Sequence, residues 1–198
     1  IASCLVGSEM CIRDRYYIPA SVRMNDLVEH RERSDRFQLL NGEWKFQYYN
    51  SIYDVTESFY EKGYDVSGFD QVTVPGVWQM DGYDTHQYTN IRYPFPFDPP
   101  YVPQDIPCGA YVHNFEYHRE EKASKAFLNF EGVDSCFYVW VNGAYAGYSQ
   151  VPHATSEFDV TDFLKDGTNT IAVLVLKWCD GSSVSYTHLR AHETRGNL

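Results

Sequence analysis

The 198-residue chain is 43% hydrophobic and 17% aromatic and carries a net charge of −11. That composition fits one globular, strand-rich domain and argues against wholesale disorder. With 16 Lys and Arg against 27 Asp and Glu and no basic block, a nucleic-acid partner is not expected, because polyanion binding needs cations gathered on one face.

No apolar run reaches the roughly 18 residues of a membrane span, and the first residues lack the basic and apolar regions of a secretory leader. The expected location is cytoplasmic, with no membrane partner. Cys4, Cys11, Cys108, Cys136 and Cys179 form an odd set with irregular gaps and no CxxC, which indicates reduced thiols and neither a zinc site nor a disulfide framework.

In chain order, residues 1 to 15 have no strong period, and SEMCIRDR resembles translated adaptor sequence. This end is expected to be foreign and disordered. Residues 16 to 35 are charged and do not alternate, which predicts an extended or partly helical N-terminal arm. The domain proper is expected over residues 36 to 182. LLNGEWKFQYY places Trp44, Phe46 and Tyr48 on alternate positions after an Asn41-Gly42 turn, which predicts a strand with one buried face. QVTV, residues 71 to 74, predicts a second strand, closed by Pro75 and Gly76.

Residues 77 to 109 contain Pro94, Pro96, Pro99, Pro100, Pro103 and Pro107. A helix or a central strand is therefore not expected there, and long ordered loops in compact domains are usually functional. Trp78, Tyr83, Tyr88 and Tyr93 offer flat apolar faces, and Asn90 and Asp98 offer short polar groups, a set that suits a pyranose. Packing of the same rings as a lid over the core accounts for this composition equally well.

Strand signals then crowd together at 110 to 117, 125 to 131, 136 to 141, 144 to 149, 156 to 160 and 169 to 178. Asn142-Gly143 predicts a type I′ hairpin turn, and TDFLKDG predicts one helical turn with Thr161 or Asp162 near its start and Gly167 ending it. Many short strands with almost no helix predict an all-β fold, a β-sandwich. Glu57, Glu61, Glu116, Glu120, Glu121, Glu131 and Glu157 lie at strand ends or in polar runs and read as solvated charges, and no pair of them is marked for acid–base chemistry. His113 and His118 read as surface or edge packing. His188 and His192 have an i, i+4 ligand spacing, but they fall in residues 183 to 198, where VSYTHLRAHET again resembles adaptor sequence and is expected to be foreign and disordered.

LLNGEWKFQYYNS, VPGVWQMDGYDTHQYTNIRYPFPFDPPYVP, NFEGVDSCFYVWVNGAYAGYSQ, SEFDVTDFL and VLVLKWCDGS, taken together, resemble the N-terminal domain of the large β-galactosidases of glycoside hydrolase family 2, from about Tyr16 to Ser182. The resemblance implies a jelly-roll β-sandwich, like that of carbohydrate-binding modules, placed ahead of immunoglobulin-like domains and a TIM barrel that holds both catalytic glutamates. No catalytic residue is then expected in this chain, which alone would be inactive, and its partners would be β-galactosides and the remaining domains of a homo-oligomeric parent enzyme.

The family's Tyr-Thr-Asn motif matches Tyr88, Thr89 and Asn90, which implies that Asn90 hydrogen-bonds the galactosyl unit and that Ile91 lines the same pocket. The family's Trp-x-Asp-Gly-Ser matches Trp178 to Ser182, which implies that Asp180 touches the sugar 6-hydroxyl and helps ligate Na+. The other sodium ligands and those of Mg2+ would lie in the further domains. The motifs YTNIRYPF and WQMDGYD point to the galactosidase branch and away from glucuronide or mannoside relatives. A free-standing carbohydrate-binding module is the alternative function.

Overall fold

The computed structural model describes residues 18–25, 30–85, 95–96, 98, 101–119, 123–150, 154–180 and 182. The chain divides into two units, Ile1–Asn41 and Gly42–Leu198. Within the first, the described part of the predicted arm contains a 3-10 turn, Arg31–Arg33. Ser34 is buried, its hydroxyl donates to the Pro19 carbonyl, and the Ser21 N–H donates to the Asp35 carboxylate at 3.0 Å.

Among its described residues the second unit has eight strands: β1 (Gly42–Tyr49), β2 (Asp70–Val74), β3 (Cys108–Tyr117), β4 (Phe127–Phe130), β5 (Cys136–Val141), β6 (Ala144–Ser149), β7 (Ser156–Asp159) and β8 (Gly167–Leu176). Six of them form an antiparallel sheet in the order β2-β1-β3-β8-β5-β6, and β4 pairs with β7 in a separate ladder. One row of facing positions crosses the whole large sheet: Asp70, Phe46, Tyr111, Val173, Val139 and Gly147. Its neighbours Trp44, Ile171, Phe137 and Val141 are buried on the same side. The β4–β7 ladder covers that side, with Phe130 4.7 Å and Phe158 5.9 Å from the Phe137 ring. This is the second layer of the expected all-β sandwich.

The opposite side presents Cys108, Ala110, Val112, Cys136, Ala172, Leu174 and Leu176, and it is covered by Phe59 and Phe69. Tyr60 stacks on Trp140 at 4.7 Å and 10°. These covering residues belong to the segment between β1 and β2, which carries no strand. It begins with a 3-10 turn, Ile52–Asp54, whose capping box pairs the Ser51 hydroxyl with the Tyr53 N–H and the Asp54 carboxylate with the Ser51 N–H. With both faces covered, the last six residues of β8 are all buried, which explains its continuous apolar run.

Two local expectations need correction. Cys108 and Gly109 lie in β3, a central strand between β1 and β8, although Pro107 immediately precedes them. Pro107 lies just ahead of the strand and contributes its carbonyl, which accepts the Lys177 N–H at 2.9 Å. The turn in TDFLKDG forms as expected with Thr161 at its start, the N–H groups of Phe163 and Leu164 both donating to the Val160 carbonyl. Gly167, at φ +93°, opens β8, which runs to Leu176 and stops short of Trp178. The Asn142-Gly143 hairpin forms as expected, with φ values of 53° and 86° between the paired Val141 and Ala144.

The Asn142 side chain also donates to the fully buried Asn169 amide oxygen at 2.7 Å, and Asn169 donates to the carbonyls of Lys165 and Gly167. These amides join the hairpin to the start of β8 without leaving a buried polar group of Asn169 unmatched. Among the described residues no helix is long and apolar enough to cross a membrane.

Candidate functional site

At the C-terminal end of β8 the central strand meets the starts of β3 and β5, since Leu176 faces both Cys108 and Cys136. The next residue, Lys177, is held by its N–H on Pro107, and its ammonium lies 2.5 Å from the Asp84 carboxylate. Both side chains are largely removed from water, at 11% and 14% exposure, so removing one partner would leave the other charge poorly solvated. The same ammonium is 5.2 Å from the centre of the Trp178 ring, within cation–π range. The Trp178 indole in turn meets the buried Phe95 edge-on at 5.1 Å. Asp84 and Phe95 both come from the long loop before β3, so the loop is pinned to the end of β8 at two points.

Beyond Trp178 the chain makes a tight turn. The Ser182 N–H donates to the Cys179 carbonyl at 2.9 Å, and the Cys179 N–H donates to the Ser182 hydroxyl at 3.0 Å. That hydroxyl is 2.5 Å from the hydroxyl of Ser135, the residue before β5, whose own N–H donates to the Leu176 carbonyl. Cys179, Ser182 and Ser135 are all buried, whereas Asp180 is exposed. Beneath them, a hydrogen bond with Cys179, followed by burial, pushes the Cys136 thiol well above its usual range.

Of the residues expected at a site, Asp180 and Trp178 are therefore placed at a sheet end beside the long loop. Asn90 and Ile91, together with Tyr88 and Tyr93, lie outside the described residues, as do His188 and His192. Trp78 and Tyr83 do not form an open sugar platform. Trp78 is buried against Phe46 and Tyr48, and Tyr83 meets the Phe46 ring at 4.9 Å while its hydroxyl donates to Asp70 at 2.8 Å. Both act as the lid over the core, because rings this size bury more apolar area against Phe46 than they could against solvent.

The Trp78 indole N–H finds no acceptor among the described residues. Asp98 is exposed and bridges to Tyr101 through the backbone. Glu57, Glu61, Glu116, Glu131 and Glu157 are all exposed, and Glu120 and Glu121 lie outside the described residues. Among the described residues no three His, Cys, Asp or Glu side chains converge as a metal cluster.

Sequence reasoning missed Lys177, Asp84 and Ser135. A lysine closing the apolar run VLVLK is a visible oddity, but nothing local ties it to a carboxylate 93 positions away. A cavity of about 430 Å3 opens at the far end of β3 and β8. Its cationic groups are committed, Arg119 to the Thr161 carbonyl at 2.9 Å and Lys125 to Asp159 at 2.9 Å.

Residues 37–189 match the family described as glycosyl hydrolases family 2, sugar binding domain. The chain is 49% identical over 167 residues to a β-galactosidase of Actinobacillus pleuropneumoniae, covering 84% of this chain and 16% of that protein. It is 46% identical over 171 residues to a β-galactosidase of Staphylococcus xylosus, covering 86% of this chain and 17% of that protein. The chain thus spans about one-sixth of the length of these relatives.

Among solved structures, a β-glucuronidase of Ruminococcus gnavus superposes with a TM-score of 0.52 at 19% identity, covering 70% of this chain and 21% of the other. A β-glucuronidase of an uncultured Clostridium superposes with a TM-score of 0.50 at 23% identity, covering 69% of this chain and 21% of the other. At that identity the likeness is one of fold.

Proposed function

The chain belongs to glycosyl hydrolases family 2, as its sugar-binding domain, and on that premise we propose that it supplies part of the galactoside site of a retaining β-galactosidase. The observation that carries this reading is the placement of Asp180, an exposed carboxylate held between buried neighbours at the end of the central strand. In this reading Asp180 accepts from the sugar 6-hydroxyl and gives one oxygen ligand to Na+, a hard cation that favours such donors. Asp180 suits that role chemically, because it presents an exposed carboxylate, an anionic oxygen donor.

Asn90 and Ile91 complete this chain's share of the galactosyl pocket. The remaining sodium ligands, those of Mg2+ and the two catalytic carboxyl groups come from polypeptide beyond these residues, in a homo-oligomeric cytoplasmic enzyme. Identity of 46–49% to β-galactosidases supports the galactoside over a glucuronide.

The test is a chimera in which residues 37–182 replace the matching segment of the Actinobacillus β-galactosidase. Hydrogen bonds involving a charge contribute about 1.5 to 3 kcal/mol, so Asp180→Ala should lower kcat/KM roughly 10- to 150-fold, and neutral Asn90→Ala somewhat less. Sodium activation should weaken with Asp180→Ala. Unchanged kinetics and sodium dependence in both variants would remove these residues from the site.

A further inference from the structure

We propose that Ser182 and Ser135 are positioning residues for Asp180, an assignment that rests on the site reading above and extends it to two hydroxyls that touch no substrate. Asp180 lies four positions beyond Leu176, the last residue of β8, outside the ladder that holds the strand, and segments beyond a ladder open more readily than the strands within it. A carboxylate that must meet both a sugar hydroxyl and a cation needs its backbone held to about 0.5 Å.

Ser182 provides that restraint. Its N–H and its hydroxyl close two hydrogen bonds with Cys179, at 2.9 and 3.0 Å, so the two flanking residues tie the backbone on either side of Asp180. The same hydroxyl lies 3.7 Å from the Cys179 sulfur and 2.5 Å from the Ser135 hydroxyl. One hydroxyl offers a donor and two acceptor positions, and these three contacts use all of them.

Ser135 anchors the knot to the sheet. Its N–H donates to the Leu176 carbonyl at 3.1 Å, and the next residue, Cys136, is paired with Leu176 in the β5–β8 ladder. The knot is dry, with Ser135, Ser182 and Cys179 at 3%, 4% and 7% exposure, and the carboxylate it carries faces solvent. Water therefore competes poorly for the hydrogen bonds that fix the turn, while the functional group stays accessible to ligand.

The experiment uses the 15N-labelled 198-residue chain, with Ser182→Ala, Ser182→Thr and Ser135→Ala compared with the wild type. In Ser182→Ala the Cys179 amide should exchange at least about tenfold faster, and the order parameter of Asp180 should fall from about 0.85 to below about 0.6. Exchange at Val139 and Val173 should stay at the wild-type rate. Ser182→Thr, which keeps a hydroxyl, should restore Cys179 protection, and Ser135→Ala should give a smaller effect of the same pattern. Wild-type exchange at Cys179 in both alanine variants would overturn the assignment, as would acceleration by one common factor throughout β5 and β8.

In the chimeric enzyme, Ser182→Ala should lower kcat/KM, with recovery in Ser182→Thr. A loss with Asp180→Ala but none with Ser182→Ala would sink the positioning role and leave the site reading intact. No loss with Asp180→Ala would sink the site reading, and the exchange rates would still decide whether the two serines hold the turn.

Discussion

The imidazole of His113 lies 4.8 Å from the Trp44 indole at an interplanar angle of 17°, and its Nδ1 is 3.1 Å from the Glu43 carbonyl oxygen. Burial pushes its pKa below the ordinary 6.5, with the hydrogen bond to Glu43 opposing more weakly. Because the folded value lies below the unfolded one, the unfolded chain takes up the proton first as pH falls. The neutral ring's contribution is therefore complete above the ordinary value and is lost as pH drops through the depressed one.

His113→Phe keeps the stack and removes the titration. Urea unfolding of the wild type should weaken more steeply between pH 7 and pH 5 than that of His113→Phe, and equal slopes would show that His113 is not coupled to folding. The expectation that this histidine packs at a surface or edge holds for its stacking, but the stacking partner could not be read from spacing alone. Trp44 is 69 positions away in sequence and is brought close only by the β1–β3 pairing.

At the scale of the elements, β6 and β7 lie close enough to leave no room for a side chain at one position. A Cβ built on Gly147 would sit 2.5 Å from the Phe158 ring. Phe158 in turn packs on Phe130 and Phe137 and has little space to retreat. Gly147→Ala should therefore cost about 1 to 3 kcal/mol, measured by urea denaturation, and adding Phe158→Leu should recover part of the loss. Additive penalties in the double variant would show that the two residues do not conflict.

The sequence marks AYAGYS as a strand by alternation and turn chemistry, and both bounds are as expected. It gives no reason for glycine at its fourth position, since that depends on which ladder covers the sheet. The long loop before β3 is a comparable case. Its proline content correctly predicts that the described residues from 77 to 107 lie outside the sheet, while the fates of Trp78 and Tyr83 depend on the Phe46 ring beneath them.

For the molecule as a whole, burial of the sheet's second side controls thiol chemistry. Cys108, Cys136 and Cys179 are all buried, and burial pushes the Cys108 thiol up to about 12. Because the thiolate is the nucleophile, these three should resist iodoacetamide at pH 8 in the native chain and react in urea. Peptide mapping by mass spectrometry would read this directly, and native alkylation of any of the three would contradict the packing.

By itself the sequence determined the all-β class, the position of every described strand to within two residues, and the Asn142-Gly143 hairpin. Those features depend on alternation and on backbone preferences that act over a few neighbouring residues. Its motifs also singled out Asp180. Only the tertiary structure decided that Lys177 meets Asp84, that Ser135 meets Ser182, and that the segment between β1 and β2 roofs one side of the sheet. The physical reason is that each of these pairings follows from the strand order β2-β1-β3-β8-β5-β6, a long-range choice that no local preference encodes.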